Sequence, residues 1–199
     1  MPSWLLAFNR EEALMEENIR ELAALLPDEV IFEAAAIHIR ELAKTGDLEK
    51  AEALFGKLRL FPEAGLSRAK AGRFLAARFL FSGERGMALE IYNEAFADEK
   101  NPEIFLEKLL ALDLLARDSA TGRLREVVDL WRPLGENLLA DGFKSHWAET
   151  GVALMEGCRK TDNKQLAEAI FYELRERASS GKTKAIIERA ERILKKMGS

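Results

Sequence analysis

One cysteine, Cys158, and two histidines, His38 and His146, are all that this 199-residue chain has of the side chains most used to bind metals or attack substrates. A single thiol excludes an internal disulfide framework and fits a reducing compartment. Neither histidine stands in ligand spacing with Cys158 or a carboxylate, so no metal site and no cofactor are expected. Proline and glycine are scarce too, at five and thirteen residues, and no Ser/Gly/Pro tract divides the chain. One continuous domain over residues 1–199 is the expectation. Long apolar runs are missing, and nothing approaches the roughly 20 residues of a membrane span. The opening run Trp4-Leu5-Leu6-Ala7-Phe8 is shorter than the core of a secretion signal, has no Lys or Arg before it, and passes into Asn9-Arg10-Glu11-Glu12. A basic excess is also lacking. Thirty Lys and Arg against thirty-four Asp and Glu leave a net charge of -4, which argues against a partner held through its phosphates. These absences point to a cytoplasmic protein.

What the chain does have is helical periodicity. Hydrophobic residues make up 48% of it, enough for a substantial core. Met15, Ile19, Leu22 and Leu26 follow i, i+4, i+7, i+11, as do Ile186, Ala190, Ile193 and Met197. Ile31, Ala35, Ile39 and Leu42 form another stripe, and Ile170, Phe171 and Leu174 a further one. Alternating Val/Ile/Thr runs are absent, so no sheet is expected. Breakers fall between the stripes. Asp28 after Pro27 is placed as an N-cap, Phe61 to Gly65 closes a pair, and Asn101-Pro102 reads as a cap followed by proline at the first helical position. The predicted helices are 10–26, 28–44, 47–60, 66–81, 84–98, 102–117, 123–139, 143–159, 163–178 and 182–197. Pro133 should kink or end the seventh.

Four turns carry the same sequel. They are Thr45-Gly46, Ser82-Gly83, Thr121-Gly122 and Thr161-Asp162. Five residues after each second turn residue come Ala51, Ala88, Val127 and Ala167. Four further on come Phe55, Tyr92, Trp131 and Phe171, and three beyond those Leu58, Ala95, Leu134 and Leu174. Self-similarity at 37, 39 and 40 residues is the mark of stacked helical hairpins. The turn residue permits a left-handed backbone. The small residue lets the second helix approach the first, and the aromatic fills the space between successive hairpins.

Gly46-Asp47-Leu48-Glu49-Lys50-Ala51-Glu52-Ala53-Leu54-Phe55 resembles the second helix of the tetratricopeptide repeat, with its small-x3-aromatic-x2-small signature. Gly83 to Tyr92 and Asp162 to Phe171 are similar, so the resemblance covers roughly residues 30–178. The period here is longer than that family's roughly 34 residues. The first helices also lack its Trp/Leu-Gly/Tyr positions, where Ala35, His38, Ile39 and Leu42 stand in the first repeat. Related helical-hairpin families stay open. The resemblance implies an all-α, right-handed α-α superhelix of about four hairpins, with core repeats over about 28–178. Residues 10–26 and 182–197 would be cap helices, Met15, Ile19 and Leu22 matching the second-helix columns.

Few residues suggest chemistry. Gly181-Lys182-Thr183 has the end of a phosphate-binding loop, but Glu176 occupies the glycine position five residues earlier and the flank is helical. It reads as a helix break. Cys158 has no base placed beside it and reads as a small buried hydrophobe. Glu11-Glu12 and Glu16-Glu17 read as a solvated helix face. Charge is uneven: residues 57–78 carry six basic residues against Glu63, while 10–33 carry Arg10 and Arg20 against eight acidic residues. Two readings follow. The faces are complementary, meeting within the array or across a homodimer. Or, as the resemblance implies, first-helix residues line a concave groove, and Arg40, Lys70 and Arg73 there hold an acidic peptide or a C-terminal carboxylate. Trp4-Leu5-Leu6-Phe8 either folds onto the first helix or inserts into another chain.

The expected function is a non-catalytic scaffold or adaptor that binds a peptide or partner domain. The alternatives are a regulatory subunit of a nucleic-acid-associated complex, using the basic stretches 57–78 and 182–196, and an enzyme with a pocket between helices.

Overall fold

The computed structural model describes residues 26–96, 101–118, 123–136, 141–178 and 181–198. The predicted helix 10–26, the Trp4–Phe8 patch and the Thr121-Gly122 turn lie outside them, save Leu26. The described residues form nine α-helices and no strand. They are α1 (Asp28–Thr45), α2 (Leu48–Leu58), α3 (Gly65–Ser82), α4 (Arg85–Ala95), α5 (Pro102–Asp118), α6 (Leu124–Leu134), α7 (Asp141–Lys160), α8 (Lys164–Arg177) and α9 (Lys184–Gly198). A 3-10 turn, Pro62–Ala64, leads into α3. The all-α expectation holds, and the helices fall close to their predicted places. Pro133 ends α6 at Leu134, five residues before its predicted end, because proline cannot donate to the carbonyl four residues back.

Two starts differ in opposite ways. Asp28 is not the N-cap of α1 but its first helical residue, and the carbonyl of Pro27 accepts the first backbone bonds. Its charge still suits the positive end of the helix. Asn101 does cap α5, its Oδ1 accepting the amide of Glu103 at 2.8 Å.

The chain divides into two compact units, residues 1–105 and 106–199, the division falling inside α5. In the first unit α3 is central and touches α1, α2 and α4. In the second α7 is central and touches α6, α8 and α9.

The turn columns recur as geometry. Gly46 and Gly83 have φ of 91° and 87°, and Asp162, at 53°, is the one described non-glycine residue with positive φ. At each turn two amides return to the helix just ended: Gly46 to Ala43 and Asp47 to Leu42, Gly83 to Leu80 and Glu84 to Phe79, Asp162 to Arg159 and Asn163 to Cys158. That pair of bonds is the Schellman closure, which satisfies carbonyls a helix end leaves without partners. The hydroxyl just before the left-handed residue does the same job each time. Thr45 Oγ1 donates to Leu42, Ser82 Oγ to Phe79 and Thr161 Oγ1 to Cys158.

The core columns recur as well. Ala51, Ala88, Val127 and Ala167 are buried, and so are Leu58, Ala95, Leu134 and Leu174. Of the aromatics, Phe55, Tyr92 and Trp131 are buried. Phe171 is only half-buried, and Ile170 beside it occupies the core instead. The expectation that Phe171 fills the last repeat is therefore corrected: α8 is rotated so that Ile170, Ala167 and Leu174 face inward.

A column on the first helices supplies the other half of the packing. Ala35, Gly72, Ala111 and Gly151 follow the same intervals and are all buried. A methyl group on Gly72 would stand 2.3 Å from Ala95 Cβ and 3.3 Å from the Phe55 ring. One on Gly151 would stand 2.7 Å from the Trp131 ring and 2.8 Å from Leu174. In each unit the central helix thus uses a glycine to admit an aromatic from one neighbour and a small or aliphatic residue from the other.

Candidate peptide-binding face

Arg40 lies on α1, and Lys70 and Arg73 lie one turn apart on α3. The two helices pack against each other. Lys70 Nζ stands 3.5 Å from Glu33 Oε2, and Ser67 Oγ donates to the same oxygen at 3.2 Å. Further along, Arg78 Nε donates to the carbonyl of Ala43 at 3.1 Å, placing a cation at the negative end of α1.

The three predicted residues have different surroundings. The Arg40 guanidinium lies 5.6 Å from the centre of the Phe74 ring, a cation–π arrangement that leaves the residue exposed. Lys70 is engaged by Glu33, so the acidic and basic stretches of the sequence do meet at this point. Arg73 is half-buried beside Phe74.

Sequence reasoning missed the apolar part of this face. On α1 Val30 is 47% and Ile37 49% exposed; on α3 Phe74 is half-buried and Phe81 80% exposed. Lys44, at the position equivalent to Phe81, pairs with Glu41 at 2.7 Å. That bond holds the Glu41 carboxyl below its usual range. Ile37 and Phe81 were legible as apolar residues, but only the fold shows that they stay exposed.

Two clefts accompany the helices. The first unit has one of about 500 Å³ beside the starts of α1, α3 and α5, with Glu29, Glu33 and Glu63 around Phe32, Leu66 and Ile104. The second unit has one of about 310 Å³ over Ala153 and Gly157, edged by Arg117, Lys160 and Arg189. Two of those cations are already matched: Arg117 forks onto Asp113, and Arg189 Nη2 lies 2.6 Å from Glu149 Oε2. Neither cleft is lined by His38, His146 or Cys158. His38 and His146 are exposed, whereas burial pushes the Cys158 thiol up to about 12. Gly181-Lys182-Thr183 forms the turn before α9, with Thr183 Oγ1 donating to the carbonyl of Ala178.

Among the described residues no cluster of His, Cys, Asp and Glu is placed to hold a metal ion, and no helix is long and apolar enough to cross a membrane. Protein-family models, curated proteins and solved structures were compared with the chain, and none matches.

Proposed function

We propose that the chain is a non-catalytic adaptor whose hairpins stack in the tetratricopeptide manner, with the right-handed winding that this implies. The α1–α3 face would be its peptide-binding surface. The observation that carries the reading is Arg40 lying over Phe74, on two packed helices that also expose Val30, Ile37 and Phe81. Exposed apolar groups on the same helices as cations suit a ligand that buries side chains and offers carboxylates. The ligand class is therefore a peptide with aromatic or aliphatic residues beside Asp or Glu. Arg40 would supply charge beside Phe74, and Lys70 would contribute where a ligand carboxylate displaces Glu33.

The same pairings weigh against a nucleic-acid partner. Arg59 pairs with Glu94, Lys70 with Glu33, Arg189 with Glu149 and Lys195 with Glu191, while Arg68 and Arg78 turn to backbone carbonyls. Cations already matched within the fold release few counterions from a phosphate backbone.

Selection from a random peptide library on the immobilised protein tests the proposal. Enrichment of acidic sequences with a recurrent aromatic or leucine is expected. The Arg40→Glu variant, and the Lys70→Glu/Arg73→Glu double variant more than Arg73→Glu alone, should lose the selected peptide while melting normally. Each exposed pair is worth only about 0.2–1 kcal/mol, so single reversals act modestly and salt mimics them. A basic consensus, or binding indifferent to all three residues, would overturn the assignment.

A further inference from the structure

The cleft of the second unit is open because α7 carries small side chains there. By the intervals that align Gly151 with Gly72, Ala153 and Gly157 stand where α3 has Phe74 and Arg78. Those two side chains reach α1, Phe74 under Arg40 and Arg78 to the carbonyl of Ala43. A methyl group and a hydrogen leave such a space unfilled, and about 310 Å³ remains over Val152, Ala153 and Gly157. Three helices bring a cation to its edge: Arg117 from α5, Lys160 from α7 and Arg189 from α9.

The charges there almost balance. Asp113 accepts from Nε and Nη2 of Arg117, Glu149 from both terminal nitrogens of Arg189, and Glu156 from Nε of Arg159. These pairs fix the arginines and leave Arg117 Nη1 and Arg189 Nε for another acceptor. Lys160, exposed at the end of α7, is matched by no carboxylate among the described residues. Four cations against three carboxylates leave one positive charge beside an apolar floor.

We infer that this cleft binds a small aliphatic monocarboxylate, a free short-chain acid. Its carboxylate would meet Lys160 and the open arginine donors, and its chain would lie over Ala153 and Gly157. One net charge suits a monoanion better than a phosphate dianion, and guanidinium donors suit a planar carboxylate. The volume stands at the lower end of the roughly 300–1,000 Å³ of small-molecule sites, so it suits a ligand of few atoms. Occupancy would tie the ends of α5 and α7 to α9 and make the stability of the second unit respond to the acid. The site is independent of the peptide-binding reading, which concerns α1 and α3.

Titration of the full chain with butyrate at fixed ionic strength, followed by the Ala153 methyl and Gly157 amide resonances, tests this. Saturable shifts are expected at both residues, with a melting temperature that rises with butyrate. Acetate, which lacks the chain, and butylammonium, which reverses the charge, should bind more weakly. Lys160→Gln should weaken butyrate about two- to fivefold, as loss of an exposed ion pair requires. Ala153→Leu, which fills the floor and leaves every cation in place, should abolish the shift at Gly157. Should the leucine variant melt early, Lys160→Gln and the ligand series still decide. No saturable shift, or butylammonium binding as tightly as butyrate, overturns the inference. Phosphate binding as tightly as butyrate overturns it in favour of a plain anion site. Tighter binding of an amino-blocked peptide ending in valine overturns it in favour of a chain terminus.

Discussion

Trp131 and Trp147 exchange hydrogen bonds: Trp131 Nε1 donates to the Trp147 carbonyl at 2.9 Å, and Trp147 Nε1 donates to the Trp131 carbonyl at 3.1 Å. Their rings stack with centroids 4.4 Å apart and 6° between planes. Both are fully buried. The Trp131 carbonyl is among the last four of α6, which have no partner within the helix, so the second indole caps a helix end from inside the core.

Replacing Trp147 with phenylalanine should therefore cost more than its small loss of area implies. The Trp131 carbonyl would be left buried and without its donor, worth about 1–3 kcal/mol. Trp131→Ala, which also empties the site, should cost about 3–5 kcal/mol. Chemical denaturation gives both values, and near-UV circular dichroism should lose the same aromatic signal in each variant. A neutral Trp147→Phe would show that water replaces the indole.

The aromatic column predicts unequal losses. Phe55→Ala should destabilise by about 3–5 kcal/mol, because the ring is buried beside Gly72. Phe171→Ala should cost clearly less, and Ile170→Ala, at about 2–5 kcal/mol, should exceed it. Urea midpoints of the three variants decide the order. A Phe171 variant as damaging as the Phe55 one would place α8 in the other rotation.

Glycine replacements should differ in sign. Gly72→Ala forces a methyl group against Ala95 and should cost about 1–3 kcal/mol. Gly56 lies inside α2 with nothing within 4 Å of a built methyl group, so Gly56→Ala should stabilise by about 0.4–1 kcal/mol. Gly46→Val has room but needs positive φ of a β-branched residue and should destabilise. Asp162→Gly should be mild, since it removes left-handed strain and adds chain entropy. Melting temperatures of the four variants check the pattern.

Cys158 sets an alkaline limit. Burial raises its folded pKa from 9.0 to about 12, so above pH 9 the unfolded chain releases a proton that the folded chain keeps. Its contribution is complete below about pH 9 and is lost as pH rises toward about 12. Thiol labelling of the native protein should follow opening of the fold, and Cys158→Ala should flatten the decline of stability between pH 9 and 11. Rapid labelling at neutral pH would mean an accessible thiol.

Hairpin closure was legible from residues 45–46, 82–83 and 161–162 because it is local: a left-handed residue and the hydroxyl before it satisfy carbonyls three or four residues away. The Ala51, Phe55 and Leu58 columns were legible for a related reason, since 3.6 residues per turn sets all three on one face whatever lies opposite. What lies opposite was not legible. The Ala35, Gly72, Ala111 and Gly151 column uses the same intervals, but alanine and glycine carry no signal until a neighbouring ring needs their missing atoms. Among the described residues, the exchange between Trp131 and Trp147 has no counterpart in the other hairpins. Phe171 shows the limit from the other side: it is next to Ile170, a rotation of about 100° exchanges them, and only the packing of α8 on α7 chooses. Charge runs were visible in the candidate site, yet Lys70 meets Glu33 and Arg40 meets Phe74 only because α1 and α3 pack against each other. Sequence determined the helices, most of their stops and, α8 excepted, their inward faces through bonds and periods spanning a few residues. Tertiary structure decided which inward faces met and which apolar and charged groups remained outside, because those outcomes depend on the shapes of side chains distant in the chain.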